Sequence, residues 1–265
     1  MRPWLVSLLL PLLALTSPAC DGTTGDQVVD FEAVASGPSD ANSGEPLSFA
    51  GSRGWRVTLT TATLHVGALY LAEAMPVSGA QATSCILPGS YVAQVVEGRD
   101  IDLLSSEPQA FPVLGRGTTL EAHAGQVWLT SGDVNLANAP TPATVILHLL
   151  GSAQRASELR PFEAKLTIAQ NRVSGSGDAA GGSPICKERI VSPIPTAIRV
   201  EQGGALWLRV DPRLLFTNVD FGALQAEGEM FVFQDDSSDQ PSANLYNNLK
   251  QAGLLYDFSW AEQLP

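Results

Sequence analysis

Apolar and polar positions alternate with a period of two through residues 55–71, WRVTLTTATLHVGALYL. Trp55, Val57 and Leu59 share one face, with Arg56, Thr58 and Thr60 on the other. Further on, Leu64, Val66 and Tyr70 share a face, so the apolar parity switches from odd to even between Leu59 and Leu64. That switch predicts a β-bulge near residues 60–62, or two strands joined by a bend. Thr58, Thr60, Thr61 and Gly67 argue against the rival helix.

The same reading predicts strands over residues 28–34, 90–96, 125–130, 196–200, 205–210, 230–233 and 256–260, with a short apolar piece at 101–104 and a loop at 115–119. Residues 144–151 and 161–169 read as two arms of a hairpin joined by the polar SAQRASEL. In the second arm Phe162, Ala164, Leu166 and Ile168 alternate with Glu163, Lys165 and Thr167, which gives one wet face. Residues 174–183, SGSGDAAGGS, form a low-complexity loop. Asp211-Pro212 opens one or two turns of helix. Residues 239–253 carry the best helix, with Asp239 as cap, Pro241 in the first turn and Gly253 at the end. About ten to fourteen strands with one or two short helices make a mainly β protein, read as a two-sheet β-sandwich.

The first twenty residues carry a different pattern. Arg2 precedes an apolar run that Pro11 interrupts, too short to cross a bilayer as a helix. Ser17-Pro18-Ala19 supplies small residues and Cys20 follows, so residues 1–19 read as a lipoprotein-type export signal. Ser17 stands where a lipobox usually carries Leu, and Ser-Pro-Ala also suits an ordinary signal peptidase, which would leave a free Cys20. Residues 20–46 are expected to be the lipidated cysteine and a flexible tether, apart from the strand at 28–34, and residues 47–265 a single β-rich extracytoplasmic domain. The expected location is the cell envelope, lipid-anchored outside the cytoplasm on the inner or outer membrane or at the cell surface. Asp21 favours inner-membrane retention under enteric-type sorting. Lipid on Cys20 leaves Cys85 and Cys186, which in an oxidising compartment are expected to form a disulfide. That bridge closes a loop of about 100 residues, worth up to about 4–5 kcal/mol in the chain-entropy model. Two separate buried thiols are the other reading.

Composition narrows the chemistry. Gly and Pro number 24 and 18, natural for short strands joined by turns. The net charge is −12, and loss of the signal removes one more positive charge. Nucleic acid is therefore not an expected partner. There is no GxSxG, HExxH or P-loop. His65, His123 and His148 are candidate ligands for copper or zinc, since histidines on adjacent strands can meet. Against this, each can be a lone, hydrogen-bonded histidine. Asp235, Asp236 and Asp239 crowd one loop and are candidate calcium ligands, although the EF-hand register is missing. The simpler reading is a solvated loop whose last Asp caps the helix. Trp55, Trp128, Trp207 and Trp260 fall in predicted strands, as core or as a face for glycan or peptide. A carboxylate-only, carbohydrate-active enzyme is a third function class, with no pair of residues selected.

With residues 54–59 (GWRVTL), PICKERIVSPIP and DPRLLFTNVDF, the chain resembles uncharacterised envelope lipoproteins of the myxobacterial type across most of its mature length. The resemblance implies a compartment and paired cysteines, and no activity. A second resemblance is to periplasmic copper-binding partner proteins found beside di-haem peroxidase relatives. It rests on an exported β domain with scattered His and Trp, and carries over no ligand residue. The sequence thus predicts a lipid-anchored, non-enzymatic binding domain, with a periplasmic copper- or zinc-binding protein as the alternative.

Overall fold

A computed structural model describes residues 27–74, 90–130, 145–168, 190–253 and 255–264. Sixteen strands are seen among them: β1 (Val28–Ser36), β2 (Leu47–Ala50), β3 (Arg56–Val66), β4 (Ala68–Ala72), β5 (Tyr91–Val95), β6 (Arg99–Asp102), β7 (Gln109–Ala110), β8 (Gly115–Thr118), β9 (Glu121–Trp128), β10 (Leu147–Arg155), β11 (Glu158–Leu166), β12 (Ile190–Arg199), β13 (Ala205–Val210), β14 (Gln225–Glu227), β15 (Met230–Phe233) and β16 (Tyr256–Ala261). One α-helix, α1 (Gln240–Lys250), lies before the last strand. The protein is mainly β, in two sheets, as the alternation predicts.

The nine-stranded sheet runs β12-β9-β4-β5-β8-β1-β13-β16, with β7 beside β1. It curls until β12 and β16 lie alongside each other, so it is nearly closed. The seven-stranded sheet runs β14-β15-β11-β10-β3-β2, with β6 beside β3. Most neighbours are antiparallel; β1 with β13 and β11 with β15 are parallel.

The parity switch in residues 55–71 has a single physical cause. The β3–β10 register slips between Leu150 and Gly151, so that Thr60 is the extra residue of a bulge. Val57 and Leu59 before it, and Ala62, Leu64 and Val66 after it, then all face the core. At Gly67 the chain leaves the seven-stranded sheet, and β4 continues in the nine-stranded one. A Cβ on Gly67 would lie 1.9 Å from the Thr130 carbonyl oxygen, so only glycine fits this crossing.

Three other expectations change. Residues 115–119, read as a loop, contain strand β8. Gly115 is there because Phe31 packs on it, where a Cβ would come within 2.1 Å of the ring. The polar SAQRASEL is mostly strand: β10 and β11 pair through Arg155 and Glu158, with Ala156 at φ 53° in the tight turn. The strand expected at 28–34 forms and runs on through Ser36, so residues 35–36, assigned to the tether, lie between β8 and β13 inside the sheet.

One apolar cluster fills the space between the sheets and includes Phe31, Leu69 and Leu208 from one, and Leu59, Leu64 and Phe162 from the other. The chain between β13 and β14 adds Phe216 and Phe221 to it. Phe162 and Phe221 stand 5.1 Å apart, and Phe216 stacks on Phe221 at 5.6 Å. Trp55 closes this end, 1% exposed, with its indole N–H donating to Asp220 at 3.4 Å and the Arg155 guanidinium 4.3 Å over its ring. Trp128 is likewise buried, on the outer face of its sheet beside Tyr70. Trp207 and Trp260 are half-buried. Helix α1 begins as predicted, with Asp239 accepting from the Ser242 N–H at 2.7 Å, and ends at Lys250.

Candidate functional site

The outer face of the seven-stranded sheet carries two of the three predicted histidine ligands, His65 and His148. In β3, residues 62, 64 and 66 point inward, so Thr63 and His65 point out. Thr63 is in register with His148 on β10 and with Asp102 on β6. His65 is therefore the diagonal neighbour of His148 on one face. Opposite His65 stands Asp100, with His65 Nδ1 2.7 Å from Asp100 Oδ1. His148 Nε2 lies 3.2 Å from Glu163 Oε1 on β11. Each imidazole is thus oriented by one carboxylate. His65 Nε2 and His148 Nδ1 are left without a partner among the described residues. Glu163 also pairs with Lys165. That hydrogen bond, and then the one from His148, hold the Glu163 carboxyl below the usual glutamate range, with partial desolvation opposing them.

His123 does not join this pair. It sits on β9 in the nine-stranded sheet, more than half exposed, with Glu121 Oε1 4.0 Å from its Nδ1. No three His, Cys, Asp or Glu side chains among the described residues converge as a metal site. A carboxylate–histidine pair is how proteins orient a metal-binding imidazole, but it is also how they fix an ordinary one.

The acidic loop serves local structure. Asp235 accepts from the N–H and hydroxyl of Thr167, each at 2.6 Å. Asp236 accepts from the Ser238 N–H, and Asp239 caps α1. Each of the three carboxylates thus accepts a backbone N–H within this part of the fold. Cys20, Cys85 and Cys186 lie outside the described residues, as does the low-complexity loop at 174–183. Among the described residues no helix is long and apolar enough to cross a membrane.

Beside the histidine pair lies a cleft of about 390 Å³, lined by Thr60, Thr61, Thr63, Glu45 and Asp102 among others. It opens where β3 has no strand partner on one edge: β2 pairs up to Leu59 and β6 starts at Thr63. Asp102 Oδ1 accepts from the Leu104 N–H and Glu45 Oε2 from the Asn42 amide. Both carboxylates are exposed.

The sequence pointed to the two histidines but missed Asp100 and Glu163 as their partners. Glu163 was readable, since it alternates with Phe162 and Ala164 on the wet face of its strand. Asp100 was not, because the short β6 carries no periodic signal.

No family model matches the chain, and no curated protein matches it. Among solved structures it is similar to MbnP from Methylosinus trichosporium, at 10% identity over 89% of this chain and 99% of that one, with a TM-score of 0.39.

Proposed function

We propose that this chain is a lipid-anchored, non-enzymatic envelope protein whose β domain binds a partner close to the membrane. The observation that carries the reading is the position of β1. The strand begins at Val28, eight residues after Cys20, and lies inside the sheet. Eight residues reach at most about 28 Å even when fully extended. Lipid on Cys20 would hold the folded domain within that distance of the bilayer. Such a short leash suits recognition at the membrane surface.

The test is expression of the full chain in a bacterium, followed by detergent phase partition and mass analysis of the N-terminal peptide. The expected result is a diacylated Cys20, partition into the detergent phase, and loss of both in C20A. A processed, water-soluble chain with a free Cys20 thiol would overturn the reading.

The register of β3 on β10 favours a second reading, a copper- or zinc-binding protein that uses His65 and His148. Metal content of the purified chain, incubated with either ion and desalted, tests it. A stoichiometric metal lost in both H65A and H148A supports it, and a metal-free, folded chain removes it.

A further inference from the structure

The outer face of the nine-stranded sheet carries a strip of side chains that neither reading uses. Trp207 and Arg209 project from β13 on the face opposite the buried Leu206, Leu208 and Val210. Their register partners on β16 are Ser259 and Asp257, both exposed. On the other side, β1 places Val34 and Ser36 beside them, both buried. The Trp207 indole N–H donates to Ser36 Oγ at 3.0 Å, which fixes the ring's position in the sheet. The Arg209 guanidinium lies 5.8 Å from the Trp207 ring centre.

Two features set this strip apart from an ordinary surface. Among the described residues, neither Arg209 nor Asp257 makes a hydrogen bond or ion pair, although they are directly opposite each other. The Arg209 Nε–H is also shut away from water with no acceptor. Packing against Trp207 therefore holds the arginine, with no bond that a ligand would have to break. The result is a half-buried indole whose polar edge is satisfied by Ser36, beside a cationic donor and an anionic acceptor that have no partner among the described residues.

We infer that Trp207, Arg209 and Asp257 form a saccharide-binding platform for a neutral pyranose oligosaccharide. A pyranose ring presents apolar C–H groups on its face and hydroxyls at its edge. The face stacks on Trp207; the edge hydroxyls accept from Arg209 and donate to Asp257. Local charge is balanced, and the chain carries −12 overall, so a polyanionic glycan is disfavoured. This deepens the binding-domain reading by naming a ligand class, and it does not depend on Cys20 carrying lipid.

The test uses the full chain in a zwitterionic, sugar-free detergent, titrated calorimetrically with cellohexaose, chitohexaose and hexagalacturonate. Saturable binding of at least one neutral hexasaccharide is expected, weaker by about tenfold or more in W207A and in R209Q, and weakened in D257N. W207F retains a ring and is expected to bind between the parent and W207A. Asp257 is exposed, so D257N is expected to keep the parent's melting temperature and decides the matter even where W207A or R209Q does not fold. Lack of any neutral binding at about 5 mM ligand overturns the inference, as does binding unchanged in R209Q and D257N or a preference for hexagalacturonate. If no saccharide binds while Cys20 is found acylated, this inference fails and the anchor reading stands.

Discussion

At the scale of single residues, the outer face of the seven-stranded sheet makes its most specific commitment at Glu163. Lys165 and His148 both stabilise its ionised form, and the Lys165 hydrogen bond is the larger effect. A carboxyl with a lowered folded pKa gives stability that is present above its unfolded pKa and lost as pH falls through the folded value. The window therefore starts near roughly pH 4.5 and extends to more acid pH. In K165M the Glu163 carboxyl is expected to titrate nearer the usual glutamate range, and the acid limb of the stability curve to become shallower. H148A should shift it in the same direction by less. Carboxyl NMR titration of the folded chain reads both shifts; an unmoved Glu163 midpoint in K165M would show that the pair is not formed in solution. The size of any stability change is small, because the group is partly exposed and solvent screens it.

At the scale of elements, strand β3 shows how far the sequence can be read. The parity switch between Leu59 and Leu64 pointed to a bulge or a bend between two strands, and the register slip at Thr60 shows a bulge. The alternation of Phe162, Ala164, Leu166 and Ile168 announced β11 with its wet face, and Asp239 announced the start of α1. Other features were hidden for physical reasons. Gly115 looked like a turn residue because its role, giving room to Phe31, depends on a strand more than 80 positions away. The short strands β2, β7 and β14 span too few residues to show a period. Where His65 and His148 would meet depended on which strands pair, and that is set by the whole sheet. The bulge itself can be tested. Deleting Thr60 leaves Val57, Leu59, Ala62, Leu64 and Val66 in one continuous alternation, so that variant should fold and lose about 2 kcal/mol or less. Deleting Thr60 and Thr63 together instead puts Leu64 and Val66 on the face opposite Val57 and Leu59, and that chain should not fold. Far-UV circular dichroism and chemical denaturation of both deletions make the comparison. Equal loss in the two would mean that β3's register is not what orders the sheet.

At the scale of the whole molecule, the two sheets are not independent. A single apolar cluster joins them, and no described segment separates them as a linker. The connection is densest where Phe162 of β11 meets Phe216 and Phe221, which arrive from the chain after β13 of the other sheet. Phe221 also touches Trp55 and Phe233, so one ring links β11, β15 and the entry to β3. Removing a ring from such a place leaves a cavity that rigid neighbours fill only in part. F221A is therefore expected to lose about 3–5 kcal/mol. If the sheets form one cooperative unit, the loss must appear in both. Native-state amide exchange gives the decisive reading, since the slowest amides of β9 and of β11 report on separate sheets through the same global opening. In F221A both sets should exchange faster by the same factor. Acceleration confined to β11 would mean that the seven-stranded sheet opens alone, and that the nine-stranded sheet, nearly closed on itself, holds its own core.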